Sequence, residues 1–242
     1  ITELAKLSSL DLMPAPFAWI EIPNQGFSIS KYPITNHQYF KFIQARGYQT
    51  REWWNEIGWH YNGTWTASGE AWTEPAFWND RKWNGVEQPV VGVSWYEAVA
   101  FCRWMSNLTG EPISLATEQQ WQTAAQGIDG RIYPWGNEWD CERCNNSISP
   151  CKSSGTTPVT LYEGKGDSPY GVIDMAGNVW EWCLTDYHTG ANELDKNANM
   201  RVLKGCSWGF NAIDYFRCDY RSQYIPSDRL NFIGFRIVSS MT

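Results

Sequence analysis

Histidine, basic charge and long apolar runs are all scarce in this chain, and each scarcity narrows its function. The 3 histidines, His37, His60 and His188, are scattered along 242 residues and read as ordinary surface or hydrogen-bonded side chains. Lysine and arginine number 19 against 26 acidic residues, giving a net charge of −7 and a pI near 5.0. That balance argues against nucleic acid as a partner, because non-specific binding rests on neutralising phosphates with cations. The longest apolar runs fall far short of the roughly 20 residues that a membrane helix needs, so no membrane insertion is expected. No basic–apolar–small pattern opens the chain, so it is expected to be either not exported or seen after processing. The reducing cytoplasm is then the default compartment, unless the chain is a piece of a larger or exported protein. No repeat, low-complexity tract or long linker divides it.

Tryptophan is present in excess, at 16 residues. It brings a large rigid apolar surface and one N–H that needs a partner once buried. So many point to a fold held by aromatic packing across loops, with most filling the core and some lining a binding surface. The 7 cysteines do not pair off completely. Cys102 falls inside a helical pattern and Cys183 just after a strand-like run, positions of small buried hydrophobes. The only cluster is Cys141-x-x-Cys144 followed by Cys151, and it lacks a convincing fourth zinc ligand. Free thiols are expected there ahead of a disulfide or a structural zinc.

Asp11-Leu-Met-Pro-Ala-Pro16 breaks regular structure, which makes residues 1–15 a leading segment and 16–242 the domain. Phe17–Ile22 alternates as a strand does. Asn36 is expected to cap a helix over 36–46, stopped by Gly47. Residues 48–88 read as a long tryptophan-rich excursion without a steady period. Ser94-Trp-Tyr-Glu97 is a capping box, in which the serine accepts from a helical N–H and the glutamate reaches back. It starts a helix over 95–108 that Gly110 ends. Thr117-Glu-Gln-Gln120 repeats the device for a helix over 118–126, stopped by Gly127. Short strands and Gly/Pro/Asn loops follow, so the class expected is α+β, in one loop-rich domain.

Blocks in a fixed order carry a family resemblance. They are Lys31-Tyr-Pro-Ile-Thr-Asn36, Pro89-Val-Val-Gly-Val-Ser-Trp-Tyr-Glu-Ala-Val-Ala-Phe-Cys102, Leu115-Ala-Thr-Glu-Gln-Gln-Trp121 and Tyr133-Pro-Trp-Gly-Asn137. Asp174-Met-Ala-Gly-Asn-Val-Trp-Glu-Trp182 follows, then Arg201-Val-Leu-Lys-Gly-Cys-Ser-Trp208, closed by Ile233-Gly-Phe-Arg-Ile-Val238. Over roughly residues 17–238 the chain resembles the formylglycine-generating enzymes, or sulfatase-modifying factors. The resemblance implies the loop-rich variant of the C-type lectin fold. Enzymes of that family use two nearby cysteines to hold copper and activate oxygen, and soft thiolates suit Cu(I). The corresponding stretch here offers Phe210 and Ile213–Asp214. Cys218 matches a position outside the pair, and Cys206, in the second position of the family's Gly-Gly-Ser, lies too early. Sulfoxide-forming relatives use an iron-binding histidine triad, which this chain lacks. No copper and no catalysis are expected.

The C-terminal frame is similar to that of the variable proteins of diversity-generating retroelements, in which randomised template adenines rewrite a ligand-binding region. Ser207-Trp208, Arg217-Cys-Asp-Tyr-Arg221, Pro226, Arg229 and Ile233-Gly-Phe-Arg236 fall on that frame. Randomising the adenines of an AAC codon leaves codons ending in C, which cannot encode Lys, Glu, Gln, Met or Trp. Between Gly209 and Phe232 only Gln223 is excluded. The residue types resemble a paratope, with rigid aromatic anchors and adaptable hydrogen bonders. The expected function is therefore non-enzymatic binding of a protein or other macromolecule through a variable region at about 205–233. Its side chains would be Phe210, Asn211, Ile213, Asp214, Asp219, Tyr220, Ser222, Tyr224, Ile225, Leu230, Asn231 and Phe232, with Trp208 at the base. Arg217, Arg221, Arg229 and Arg236 are expected to brace the scaffold, since the guanidinium fork suits such pinning. The alternatives are a divergent oxidase of the same family and a fixed sensory or accessory domain of a larger protein.

The resemblance also implies a structural calcium. Its ligands would be the side chains of Asp174 and Glu181 and the carbonyls of Gly177 and Val179, an oxygen set that suits a hard cation. Alternatively, Asp174 and Glu181 pair with arginines of the C-terminal segment. A second family calcium site, near Asn145–Asn146, lacks its downstream acidic ligand.

Overall fold

The computed structural model describes residues 7–63, 69–194 and 199–240. Helix α1 (Ser9–Leu12) is a single turn that corrects the expectation of an irregular leading segment up to residue 15. The Ser9 N–H and hydroxyl donate to the Glu111 carboxylate at 2.8 and 2.7 Å, and the Trp19 indole N–H donates to the Ser9 hydroxyl at 2.7 Å. Met13 is buried with the core. Residues 1–6 lie outside the described residues.

Helix α2 (Asn36–Gln44) is capped by Thr35, not Asn36. Thr35 has a glutamine three residues on, Gln38, whose side chain accepts from the Thr35 N–H at 2.9 Å to complete a capping box. Asn36 instead turns its amide onto the Trp83 and Gly85 carbonyls, both at 2.9 Å. The helix stops short of residue 46, where Arg46 takes a φ of 59°. The tryptophan-rich stretch is not without structure. It contains a 3-10 turn at Arg51–Trp53 and helix α3 (Glu56–Gly63). The buried residues of α3 are Gly58 and Asn62, so no apolar stripe reveals it in the sequence. Helix α4 (Trp95–Thr109) and helix α5 (Glu118–Gln126) start at the expected capping boxes of Ser94 and Thr117. Gly110, at φ 74°, ends α4 in the left-handed conformation that favours glycine.

Among the described residues, eight short strands form two four-stranded sheets. Strands β1 (Trp19–Ile22), β2 (Phe27–Ser30), β3 (Ile113–Leu115) and β8 (Ile237–Ser240) make the first, in the order β1-β2-β8-β3, antiparallel throughout. Strands β4 (Trp180–Asp186), β5 (Arg201–Lys204), β6 (Ser222–Tyr224) and β7 (Ile233–Gly234) make the second, in the order β6-β5-β4-β7, with β4 and β7 parallel. The Ile-Gly-Phe-Arg block is the crossover between the sheets. Phe235 drops into the core against Tyr39 and Phe101 at 6.1 and 5.4 Å. Gly234 is required because a Cβ there would stand 2.7 Å from the Val90 carbonyl oxygen. The largest core side chains include Trp54, Trp95, Trp121, Trp180 and Trp182. Their indole N–H groups donate to the carbonyls of Gly47, Cys183 and Val93 and to the Glu181 carboxylate, Trp180 excepted.

Asp186 ends β4 and organises the loop toward β5. Its carboxylate accepts from the His188 and Thr189 backbone N–H groups at 2.9 and 3.0 Å and from the Asn199 amide at 2.8 Å. Burial pushes this carboxyl up, but those hydrogen bonds outweigh it and bring it to about 2. A carboxyl with a folded pKa below its unfolded value of about 3.9 stabilises the fold above that value and loses the contribution as pH falls toward 2. Asp186→Asn should therefore destabilise by on the order of 1–3 kcal/mol at neutral pH. The gap between variant and wild type in denaturant midpoints should shrink between pH 4 and pH 2, as read by urea titration across that range. A gap that stays constant would show that the Asp186 charge does not contribute.

Candidate functional site

The segment between β5 and β7 is pinned along its backbone, buries Cys206, Ser207, Phe216, Cys218 and Pro226, and leaves its other side chains half-buried or exposed. The Cys218 N–H donates to the Ile132 carbonyl at 2.8 Å, the Trp95 N–H to that of Pro226 at 3.0 Å, and the Gly92 N–H to that of Leu230 at 2.9 Å. Its arginines brace it, each on a carboxylate. Arg217 pairs with Asp219 at 2.8 Å, Arg221 with Glu118 at 2.9 Å, Arg229 with Glu97 at 3.0 Å and Arg236 with Glu181 at 2.6 Å. Arg229 also donates to the Glu74 carbonyl and lies over the Trp72 ring, which ties the tryptophan-rich stretch to this segment.

None of the expected binding side chains is buried. Asn211, Ile213, Asp214, Asp219 and Ile225 are exposed, while Trp208, Phe210, Tyr220, Ser222, Tyr224, Leu230, Asn231 and Phe232 are half-buried. The structure does not bring all of them to one point. Phe210 is the hub of an aromatic patch, with Trp180 at 5.7 Å, Tyr215 at 5.8 Å and Phe232 at 5.8 Å. Tyr220 joins through Tyr215 at 4.9 Å, and Tyr224 through Phe232 at 6.0 Å. Trp208 stands apart, against Trp83 at 5.4 Å with the Lys82 ammonium over both rings, and its N–H reaches the Asn231 carbonyl at 3.4 Å. Asp219 is engaged by Arg217.

Two members of the patch escape the sequence-based list. Tyr215 lies in the variable stretch but outside the expected binding side chains. Trp180 lies in the Asn-x-Trp-Glu-Trp block, whose Val179 and Glu181 are expected calcium ligands. It is buried, and its indole N–H has no hydrogen-bond partner.

The implied calcium ligands are only partly available. Both Glu181 oxygens are engaged, since Arg236 donates to them at 2.6 and 2.7 Å and the Trp121 indole to one of them at 2.6 Å. The Gly177 carbonyl accepts from the Val179 N–H at 2.8 Å. Asp174, by contrast, is buried with one carboxylate oxygen accepting from the Asn178 amide at 2.8 Å and the other unpartnered. Burial pushes its carboxyl up to about 7, against the Asn178 hydrogen bond. The Asn178 amide oxygen accepts from Asn145 at 3.1 Å, and the Asn145 amide oxygen is a second buried acceptor without a partner. Two orphaned oxygens joined through one amide suit a hard cation. Among the described residues no group of His, Cys, Asp and Glu is large enough to form a metal cluster by itself, so carbonyls would have to complete the shell.

The cysteine cluster corrects the expectation of free thiols. Cys141 and Cys151 form a disulfide, with Cα atoms 5.8 Å apart. Cys144, Cys102, Cys183, Cys206 and Cys218 are free and buried. Burial pushes the Cys218 thiol up to about 12 and those of Cys102, Cys144, Cys183 and Cys206 well above their ordinary range. Thiols held protonated in this way are poor nucleophiles and poor metal ligands.

Fold and face together define a loop-rich α+β scaffold that presents an aromatic patch. The chain belongs to the sulfatase-modifying factor enzyme 1-like domain family, whose match spans residues 7–241. It is 30% identical to the inactive C-alpha-formylglycine-generating enzyme 2 of Mus musculus, over 91% of this chain and 77% of that protein. It is 31% identical to the formylglycine-generating enzyme of Thermomonospora curvata, over 87% of this chain and 80% of that protein. Variable protein 1 of Treponema denticola has the same fold, with a TM-score of 0.61 at 19% identity, covering 98% of this chain and 93% of that one. No helix among the described residues is long and apolar enough to cross a membrane.

Thiol titration checks the cysteine assignment. Protein denatured without reductant should react with 5 equivalents of thiol reagent, and reduction should raise this to 7. Seven without reductant would remove the disulfide. Stability checks the cation. Millimolar calcium should raise the melting temperature and chelator should lower it, through binding to the native state alone. In Asp174→Ala both responses should vanish. A wild-type melting temperature indifferent to both additions would dispose of the calcium.

Proposed function

We propose that this chain is a non-enzymatic ligand-binding protein, displaying side chains of residues 205–233 on a formylglycine-generating-type scaffold for rewriting by a retroelement. One observation carries the reading. Phe210 stands in the stretch where the family's enzymes keep their copper-binding cysteines, and it is the hub of a half-buried aromatic patch. A benzyl ring cannot bind copper or activate oxygen, whereas a rigid aromatic cluster with exposed polar neighbours suits recognition of another surface. The protonated, buried state of the free thiols supports the same reading. The missing Lys, Glu, Met and Trp between Gly209 and Phe232 support rewriting. The partner is then a protein or other macromolecule, and nucleic acid is disfavoured by the net charge of −7.

Calcium, when bound, would be structural, held by Asp174 with the Asn145 amide oxygen and main-chain carbonyls of the Gly177 loop. A disulfide persists where the compartment is oxidising, so we infer such a compartment rather than the cytoplasm first expected.

A face made for rewriting should tolerate replacement where the scaffold does not. Serine at Asn211, Ile213, Asp214 and Ile225 together should shift the melting temperature by only about 2 °C, since these side chains are exposed. Gly234→Ala should lower it by about 5 °C or more, because its Cβ would meet the Val90 carbonyl oxygen at 2.7 Å. If the serine variant unfolds, the face is structural and the reading fails. Copper-loaded protein given a cysteine-containing peptide should consume no oxygen beyond the uncatalysed rate, and turnover would restore the oxidase alternative. In the genome, a nearby repeat matching codons 205–238, with adenines at the variable positions, would identify the template. A complete genome with neither template nor reverse transcriptase would leave the fixed accessory domain.

A further inference from the structure

Beside the aromatic patch lies a groove whose lining falls outside residues 205–233. Trp135 and Trp139 form two of its walls, with ring centroids 5.8 Å apart and planes inclined at 53°. Both rings are held in place. Trp135 stacks on the buried Tyr133 at 5.5 Å and 12°, and its N–H donates to the Glu138 carbonyl at 3.0 Å. Trp139 packs on Phe216 at 5.0 Å. With Glu138, Asp140 and Arg143 they line a hollow of about 470 Å³, which continues past Arg143 into a second of about 310 Å³ bordered by Lys165. Arg143 is fixed between the two, donating to the Asp140 carboxylate at 3.1 Å and to the Lys165 carbonyl at 2.7 Å.

The charges along this groove select its occupant. Each hollow carries both signs, with Glu138 and Asp140 beside Arg143 in the first and Asp140 and Glu142 beside Arg143 and Lys165 in the second, so an ion of either sign meets like charge in both. A hydroxyl group both donates and accepts, and so can use acceptors and donors spaced along one wall. Two half-buried tryptophans held at an angle offer flat apolar surface, which a compact monomer would otherwise bury. A ligand with many hydroxyls and one apolar C–H face satisfies both conditions, and that is a pyranose ring.

We propose that the Trp135–Trp139 groove binds a neutral pyranoside segment of a glycan, with sugar rings laid on the tryptophan walls and hydroxyls bonded to Glu138, Asp140 and Arg143. The inference goes beyond the display reading and does not depend on it, because the lining residues it uses lie outside residues 205–233.

The test is calorimetric titration, with tryptophan fluorescence in parallel, against neutral hexasaccharides of β-1,4-linked glucose, mannose and N-acetylglucosamine. Tetralysine and tetraglutamate serve as single-sign probes. At least one hexasaccharide should bind saturably and both peptides should fail. Glu138→Ala, at an exposed side chain, should weaken binding by about tenfold with an unchanged melting temperature. Trp135→Ala should abolish the fluorescence response, and the quadruple serine variant of the face should bind the sugar as wild type does. Binding of tetralysine or tetraglutamate in place of the sugars would overturn the assignment, as would no hexasaccharide binding at all. So would sugar binding that survives both Glu138→Ala and Trp135→Ala.

Discussion

The buried pair between Arg236 and Glu181 is the constraint on which the rest of the fold depends. The arginine is 1% exposed and the glutamate 0%, so each charge has left water and must be fully compensated by the other. The geometry meets that demand. Arg236 forks onto both carboxylate oxygens, and its remaining N–H groups donate to the Ser30 and Ile173 carbonyls at 3.2 and 2.8 Å. Ser30 belongs to the first sheet and Glu181 to the second, so a single side chain ties the two sheets together. Removing one partner of such a pair leaves a bare buried charge and typically costs about 3–5 kcal/mol. The same engagement explains why Glu181 is poorly placed to serve a metal.

A second buried network, around Arg229, repeats the logic a few residues earlier in the chain. Glu97 caps α4 through the Ser94 N–H at 2.7 Å, accepts from the Tyr48 hydroxyl at 2.5 Å and pairs with Arg229. Arg229 and Arg236 therefore clamp the C-terminal side of the presented segment onto two different parts of the core. Between those clamps and the end of β5, the chain has little regular structure to maintain. Its fixed cost is carried by arginines, backbone hydrogen bonds and Phe235, and the side chains at 211, 213, 214 and 225 carry almost none of it. Exposed side chains and a pinned backbone thus coexist in one loop.

The legible parts of this fold are those in which one residue type has one local role. The capping boxes at Ser94 and Thr117 were readable because the cap and its partner lie three residues apart in sequence. Asn36 misled because asparagine caps helices well in general, and only the reach of its amide to Trp83 and Gly85, far along the chain, assigns the cap to Thr35. Helix α3 was unreadable for the opposite reason, since its aromatic residues do not segregate to a buried face. The bracing arginines were legible in kind but their partners were not, because Glu97, Glu118 and Glu181 lie between 55 and 132 residues away for the pairs that form hydrogen bonds. The floor of the patch was hidden because Trp180 meets Phe210 only when β4 and the segment are brought together.

The cysteines support the base of the presented segment in two ways, as buried side chains and as a covalent closure. In the segment, burial of Cys206 and Cys218 makes them small hydrophobes, and Phe210 packs edge-on against Trp180. At the loop near Asn145, Cys151 is bonded to Cys141. A covalent closure and a metal ion constrain a loop in the same way, by removing conformations from the unfolded chain or by binding only the folded one. The closed loop then supplies Asn145, whose carbonyl accepts from the Asn178 N–H at 3.0 Å and whose amide bonds the Asn178 side chain. Asn178 in turn accepts from the Trp208 N–H at 3.1 Å. A continuous path of bonds therefore runs from the disulfide to the base of the presented segment, and it holds that base without any reactive thiol.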